Sequence, residues 1–214
     1  MLKKIISKIR KLAIILSCKK KYYRNQSIIE RFFKAYVSEV KEVKTLDIGS
    51  GPSPRNPFNA KLVYGADIRE NQSNNVLYAD FSKGLLPFYD NTFDYVTAYD
   101  VLEHIQRVSS DGDKTIFPFI LLMNEVFRIL KPGGVFFSLT PCYPYNEAFQ
   151  DPTHVNIMTE DTIETYFCES AWARIYGYNG SFTMLQDGWT NSKYFAFIKK
   201  SSQTPVNDLF FVQE

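Results

Sequence analysis

Four short stretches, "VKTLDIG", "KLVYGADI", "FDYVTAYD" and "GGVFFSLT", are apolar on consecutive rather than alternate residues. That is the pattern of strands buried on both faces. Strands covered on both sides and joined by crossovers run parallel. Between the last two lies "TIFPFILLMNEVFRILKPGG". Its apolar residues recur at helical spacing from Phe119 to Leu130, and Lys131, Pro132, Gly133 and Gly134 supply the stop. A further helix is expected from Ser27 to about Val40. In the C-terminal third, "TEDTIETYF" reads as a helix with Thr159 at its N-cap and acidic residues in its first turn. "WARIYGY" and "YFAFIKK" read as two last strands, an antiparallel hairpin enclosing "NGSFTMLQDGWTNS". The expected class is α/β.

A chain of 214 residues, 45% apolar and 16% aromatic, can close one sizeable core and is short for two. The expected layout is a basic amphipathic helix over residues 1–24, one domain over 25–200 and a loosely held tail over 201–214. Of 25 Lys and Arg, nine fall in the first 24 residues, which hold no Asp or Glu, leaving 16 basic against 23 acidic residues in the body. An acidic body argues against nucleic acid, which is bound largely through neutralised phosphates. The first segment has apolar residues at Leu2, Ile5, Ile6, Ile9, Leu12, Ala13 and Leu16 with cations between them. It suits peripheral contact with a membrane surface or self-association. Its uninterrupted apolar core, Leu12 to Leu16, is five residues long, too short for a secretory signal. Three widely spaced cysteines, Cys18, Cys142 and Cys168, form neither a disulfide framework nor a zinc pattern and fit a reducing cytoplasm.

The stretch "LDIGSGPSPRNPF" then narrows the ligand. A dinucleotide turn needs G-x-G-x-x-G. Gly49 and Gly51 fill its first two positions, but Pro54 falls on the third and lacks both the small size and the amide donor a pyrophosphate wants. Pro52, Pro54 and Pro57 also predict a loop or a delayed helix after Gly51. Asp67 ends the next strand, at the distance where an acid accepts ribose hydroxyls. An adenosine cofactor that needs no phosphate cradle is S-adenosylmethionine.

"TLDIGSG", "VYGADI", "ADFSKGLLPFYDNTFDYVTAYDVLEHI" and "NEVFRILKPGGVFFSLTP" stand in the order and spacing of the class I S-adenosylmethionine-dependent methyltransferases. Over residues 43–141 the chain particularly resembles the branch called methyltransferase type 11. The resemblance implies a Rossmann-like, seven-stranded, mostly parallel sheet in the order 3-2-1-4-5-7-6, with helices on both faces and a C-terminal antiparallel hairpin. It also implies roles. Asp47, Gly49 and Gly51 pass beneath the cofactor, Asp67 holds the ribose with Ile68 against the adenine, Asp80 and Phe81 meet the adenine edge, and Asp100 lines the methionine end. "LEHI" begins the wall beside it.

The long loop "PCYPYNEAFQDPTHVNIM" leaves the fifth strand at the carboxyl edge, where ligands sit in open α/β sheets. Its prolines and tyrosines suit acceptor binding. Histidine is the side chain suited to proton exchange near neutrality, and His154 is the candidate general base for O-methylation, with Asp151 to orient it; fixing the loop is the alternative role. His104, in "LEHI", reads as wall. "FQDPTHVN" resembles a segment of methyltransferases associated with bacterial cell-surface polysaccharides, which implies a sugar hydroxyl or glycan precursor as acceptor and a place in the cytoplasm or at the inner membrane face. An amine, lipid or RNA methyltransferase, or a non-enzymatic cofactor-binding module, are the alternatives. No metal is expected, because the carboxylates are assigned to the cofactor and the histidines and cysteines are scattered along the chain.

Overall fold

A computed structural model of the chain describes residues 28–36 and 42–201. The expected helix over residues 1–24 and nearly all of the expected tail lie outside the described residues. Seven strands form one sheet in the order β3-β2-β1-β4-β7-β9-β8, where β1 is Lys44–Ile48, β2 Leu62–Asp67, β3 Val76–Tyr78, β4 Phe93–Tyr99, β7 Leu130–Pro141, β8 Phe182–Thr190 and β9 Lys193–Lys200. The first five pair parallel, and β9 pairs antiparallel with both β7 and β8. Counted within the sheet, this is the 3-2-1-4-5-7-6 order. A small hairpin, β5 (Ser109–Asp111) and β6 (Lys114–Ile116), stands apart around Gly112 at φ +57. Its two turn residues are Gly112 and Asp113, between the paired Asp111 and Lys114, with glycine in the first position where the positive φ is needed.

The two-residue side-chain period of the strands divides the core. Val96 and Ala98 of β4 face α2 (Pro118–Ile129) and α3 (Thr162–Phe167). Tyr95, Phe137, Phe195 and Phe197 face the other way, onto a second cluster with Phe33 and Phe58. Phe33 comes from α1, the helix over residues 28–35. α2 starts with Pro118 at its first position, where a missing amide costs nothing. It buries Phe119, Leu122, Met123, Val126 and Ile129 on one stripe. It ends at Ile129, and Lys131-Pro132-Gly133-Gly134 already belongs to β7, where the pairing with β4 shifts register between Phe93 and Tyr95.

Two local expectations fail. Residues 172–176 are not a strand but a 3-10 helix, because Ala171 at φ +40 and Gly177 at φ +89 turn the backbone out of the extended region at both ends. Trp172 and Ile175 are left exposed, and the strand paired with β9 is Phe182–Thr190, inside the segment read as the hairpin's turn. Thr159 is not the cap of α3. The helix opens three residues later behind Asp161, and the Thr159 amide instead donates to Thr162 Oγ1 at 2.9 Å.

Between β1 and β2 there is no helix among residues 49–61. The proline loop is held by side chains instead. Asn56 brackets Ala60 through two hydrogen bonds of 2.8 and 2.9 Å, and Phe58 stacks on Tyr95 with ring centroids 4.0 Å apart. The Arg55 guanidinium lies over the Tyr99 ring.

Candidate functional site

At the carboxyl ends of β1, β2 and β4 lies a cleft of about 500 Å³. Its wall includes Gly49, Asp67, Ile68, Asp80, Phe81 and Asp100, six of the eight residues expected around a cofactor. Gly49 forms its bed. The residue has φ +67, and an added Cβ would stand 2.6 Å from Val101 Cγ2, so both conformation and space require glycine.

The other two expected residues work from behind. Asp47 is fully buried, and its carboxylate is not at the cleft. On the sheet's two-residue period it shares the face of Thr45 and Thr97, accepting from Thr97 Oγ1 at 2.7 Å and the Arg55 amide at 2.8 Å. It therefore anchors the proline loop. Burial pushes its carboxyl up from the usual range, against the hydrogen bonds from Arg55 and Thr97. Gly51, at φ +59, lies outside the lining and donates its amide to Asp67 Oδ2 at 2.8 Å.

Asp67 ends β2, and only 4% of it is exposed. Besides Gly51 it accepts from the Arg69 amide and Arg69 Nε, both at 3.0 Å and both on Oδ1. Burial opposes its ionisation, but these hydrogen bonds outweigh it and hold the carboxyl below its ordinary value. A carboxylate offers about four lone-pair sites, so a diol reaching Oδ1 competes only with the largely exposed Arg69 side chain. Asp80 both faces the cleft and caps the 3-10 turn Phe81–Lys83, accepting from the Ser82 amide at 3.1 Å and Ser82 Oγ at 2.6 Å. Asp100, at φ +53 just past β4, is tied to Lys193 Nζ of β9.

The lining continues through Val101, His104, Ile105 and Gln106, around the turn Leu102–His104, and here the structure brings together what the sequence scatters. The loop after β7 docks on this turn. The amides of Val155 and Asn156 both donate to the Glu103 carbonyl at 2.9 Å, and Asn156 Nδ2 donates to the Leu102 carbonyl at 3.0 Å. The docking sets the His154 ring edge-on to the His104 ring at 4.8 Å. His104 lines the cleft, whereas the side chain of His154 is only 8% exposed and stands behind it, with Nε2 3.9 Å from Asp151 Oδ2. The sequence ranked these two histidines the other way round. Asp151 is half-buried, and its carboxyl is held low by hydrogen bonds from Thr153 Oγ1 and the Thr153 amide.

Glu103 had no assigned role beyond the wall. It is 1% exposed, Oε2 accepts from Thr140 Oγ1 at 2.7 Å, and burial raises its carboxyl above the usual range. The signal available in the sequence is the acid-histidine dipeptide at a strand end. A second cleft, of about 580 Å³, begins at Arg107, the residue after Gln106. Phe117, Tyr166 and Tyr176 give it aromatic walls, Asn156 brings a polar group from the loop expected to bind the acceptor, and Thr159 brings one from just beyond that loop.

This topology, with its antiparallel C-terminal pair, is that of the class I S-adenosylmethionine-dependent methyltransferases. A family model described as a methyltransferase domain matches residues 19–173, and the chain belongs to that family. The matched domain is a methyltransferase domain, and its family and fold imply S-adenosylmethionine as the cofactor. Solved structures share the fold. The PH0226 protein from Pyrococcus horikoshii OT3 aligns with TM-score 0.55 and 20% identity over 84% of this chain and 91% of its own. A SAM dependent methyltransferase from Aquifex aeolicus aligns with TM-score 0.53 and 16% identity over 80% and 89%. Among curated proteins, the sterol 24-C-methyltransferase erg6 of Schizosaccharomyces pombe is 41% identical over 51 residues, 24% of this chain and 11% of that protein. The match thus spans about a tenth of that relative's length. No helix among the described residues is long and apolar enough to cross a membrane.

Proposed function

We propose that the chain methylates a hydroxyl of a sugar or glycan precursor, with the cofactor in the acid-lined cleft and the acceptor in the aromatic cleft beside it. The observation that carries the reading is that one segment lines the two clefts in turn, His104 to Gln106 the first and Arg107 and Val108 the second. The donor set suits the cofactor. Asp67, Asp80 and Asp100 give hydrogen-bond acceptors and negative charge for a nucleoside bearing a sulfonium and an ammonium group. Asp67 takes the ribose hydroxyls, Ile68 packs on the adenine, Asp80 and the Phe81 amide meet its edge, and Asp100 faces the amino-acid end. Gly49 lets the backbone come close beneath. Asp47 and Gly51 act through the loop and through Asp67.

When bound, S-adenosylmethionine supplies an electrophilic methyl group: the acceptor oxygen forms a C–O bond as the C–S bond breaks, its electron pair goes to sulfur, and S-adenosylhomocysteine remains. The protein's part is to align the oxygen, exclude water and let the hydroxyl lose its proton. We place that deprotonation in the cluster of Glu103, His104 and His154, with Asp151 orienting His154. Phe117, Tyr166 and Tyr176 offer faces for a sugar ring, and Arg107, Asn156 and Thr159 offer polar contacts for its hydroxyls. A lipid acceptor is the second reading, favoured by the apolar share of that wall and by the short match to the sterol enzyme.

The deciding experiment is a methyl-transfer screen against nucleotide-activated and lipid-linked sugars, phenols, sterols, amines and RNA, reading S-adenosylhomocysteine. Turnover confined to sugar hydroxyls is the expected result, and turnover only on amines, or on none while calorimetry shows cofactor binding, sinks the proposal. The His154→Gln variant should keep cofactor affinity and lose turnover; unchanged turnover removes His154 from the chemistry. Deleting residues 1–24 tests the basic segment separately. Lost binding to anionic vesicles supports a place at the membrane face, and a change from dimer to monomer supports self-association instead.

A further inference from the structure

We propose that Glu103, His104 and His154 form a divalent-metal site with two imidazoles and one carboxylate, set between the cofactor cleft and the acceptor. The proposal rests on the O-methylation reading for what the ion does there, though not for its binding. One ligand-type atom from each of the three residues lies within 4.8 Å of the other two.

Three features point the donors at an ion rather than at one another. First, among the described residues only three buried side-chain polar atoms have no hydrogen-bond partner, and two of them are Glu103 Oε1 and His154 Nδ1. A buried carboxylate oxygen and a buried imidazole nitrogen each lose free energy when left unpaired. Finding both in one cluster means that a single cation would satisfy both. Second, the protonation of His104 can be worked out. Thr153 Oγ1 donates to Asp151 Oδ1 at 2.7 Å, so its proton is committed. His104 Nδ1, 3.0 Å from that hydroxyl and 3.2 Å from the Thr153 carbonyl, must then be the N–H donor to both oxygens. Nε2 of His104 is left with its lone pair outward. A ring nitrogen that donates to a backbone carbonyl while the other keeps a lone pair is the usual arrangement of a metal-ligating histidine. Third, His154 repeats the pattern in mirror: Nδ1 is the unpartnered atom, and Nε2 faces the Asp151 carboxylate at 3.9 Å. Each histidine thus has an oxygen beside one nitrogen, within hydrogen-bond distance for His104 and at 3.9 Å for His154, and the other nitrogen without a hydrogen-bond partner among the described residues.

Mixed imidazole and carboxylate donors suit zinc, manganese, iron(II), cobalt or nickel better than calcium or magnesium. Three protein ligands leave coordination positions open. Held by Glu103, His104 and His154, the ion would act as a Lewis acid that favours loss of the proton of a hydroxyl at an open position, the proton passing to water. His104, which lines the cleft, places that oxygen on the cofactor side.

The test uses the full-length chain without a purification tag, stripped with a chelator. It is titrated with Zn2+ by calorimetry and with Co2+ by visible absorption. One ion per chain is expected. Both His104→Asn and Glu103→Gln should weaken its binding at least about tenfold. His104 is exposed, so its replacement leaves folding intact and keeps the test clean if the Glu103 variant fails to fold. No stoichiometric uptake by the unaltered chain, or equal uptake by the His104 variant, overturns the site. The two proposals also fail separately. If the ion binds and no hydroxyl acceptor turns over, the site stands and the O-methylation reading falls. If no ion binds and methyl transfer to a hydroxyl continues undiminished in chelator, the site falls and the methylation reading stands.

Discussion

Glu103 and Glu125 are both buried glutamates, and their neighbours treat them in opposite ways. Glu125 sits on α2 and is fully matched: Oε2 accepts from the Leu86 amide at 2.9 Å and from Arg128 Nη2 at 2.6 Å, and Oε1 accepts from Arg128 Nε at 2.8 Å. Arg128 goes on to the Leu86 and Phe88 carbonyls and to Asp90, tying the loop before β4 to the helix. Glu103 has one hydroxyl partner and one oxygen with none. A carboxylate with both oxygens paired is part of the frame, whereas one kept buried and half-paired is held for something that arrives.

The sharpest way to break this contrast is to remove each carboxylate and measure unfolding by denaturant. Glu125→Ala leaves a partly buried guanidinium short of its main partner and should cost about 2–4 kcal/mol, at or below the range for breaking a buried pair because Arg128 keeps Asp90. Glu103→Gln in chelator should change stability by less than about 1 kcal/mol, since it replaces a poorly compensated charge with a neutral group of the same shape. Equal losses would make Glu103 a frame residue and remove the ground for treating it as a site.

A smaller effect separates Asp67 from Asp47, two strand-end acids on neighbouring strands. Asp67→Asn should weaken S-adenosylmethionine binding by about tenfold or more in calorimetry, the worth of a hydrogen bond to a charged acceptor. Asp47→Asn should leave that affinity within about threefold and lower stability instead, because its oxygens hold the Arg55 amide and Thr97. The reverse pattern would return Asp47 to the cofactor. The two also differ in acid. The Asp67 carboxyl is depressed in the folded protein, so its contribution to stability is full above the ordinary aspartate value of 3.8 and is lost as pH falls through the lower folded value. In Asp67→Asn that part of the acid limb should vanish from a stability profile.

What could be read from the sequence follows the same division. Strands β1, β2, β4 and β7 announce themselves because burial on both faces leaves continuous apolar runs, and α2 because one buried stripe leaves a 3.6-residue period. Asp67, Asp80 and Asp100 could be placed because each ends or follows a strand in a known order. "WARIYGY" misled because Trp, Ile and Tyr favour strands wherever they can pack, and only the left-handed residues on either side, Ala171 and Gly177, exclude it. The true strand, Phe182–Thr190, contains Gln186, Asp187 and Gly188, poor strand formers held in place by pairing with β9. Glu103, His104 and His154 could not be assembled from spacing at all. Fifty positions separate the two histidines, and two backbone amides of one loop bring them together.

The smallest effect concerns two thiols in the same core cluster. Cys142, at 1% exposure, and Cys168, at 2%, are each pushed up to about 12, by burial first and by nearby carboxylates second. Only the thiolate is alkylated, so at pH 8 the native protein should leave both unlabelled by iodoacetamide over hours, and both should react at once in denaturant. Because burial dominates, a substitution that removes a neighbouring carboxylate should leave the protection in place, whereas one that loosens packing should expose the thiols. Peptide mapping after alkylation therefore gives the contrast between Glu103 and Glu125 an independent reading. Glu125→Ala, by weakening the frame under α2, should raise the labelling rate of Cys168 by favouring opening, and Glu103→Gln should leave that of Cys142 unchanged even though its carboxylate is the nearer charge. Faster labelling of Cys142 in Glu103→Gln would show that Thr140 and the end of β7 depend on that carboxylate for their packing.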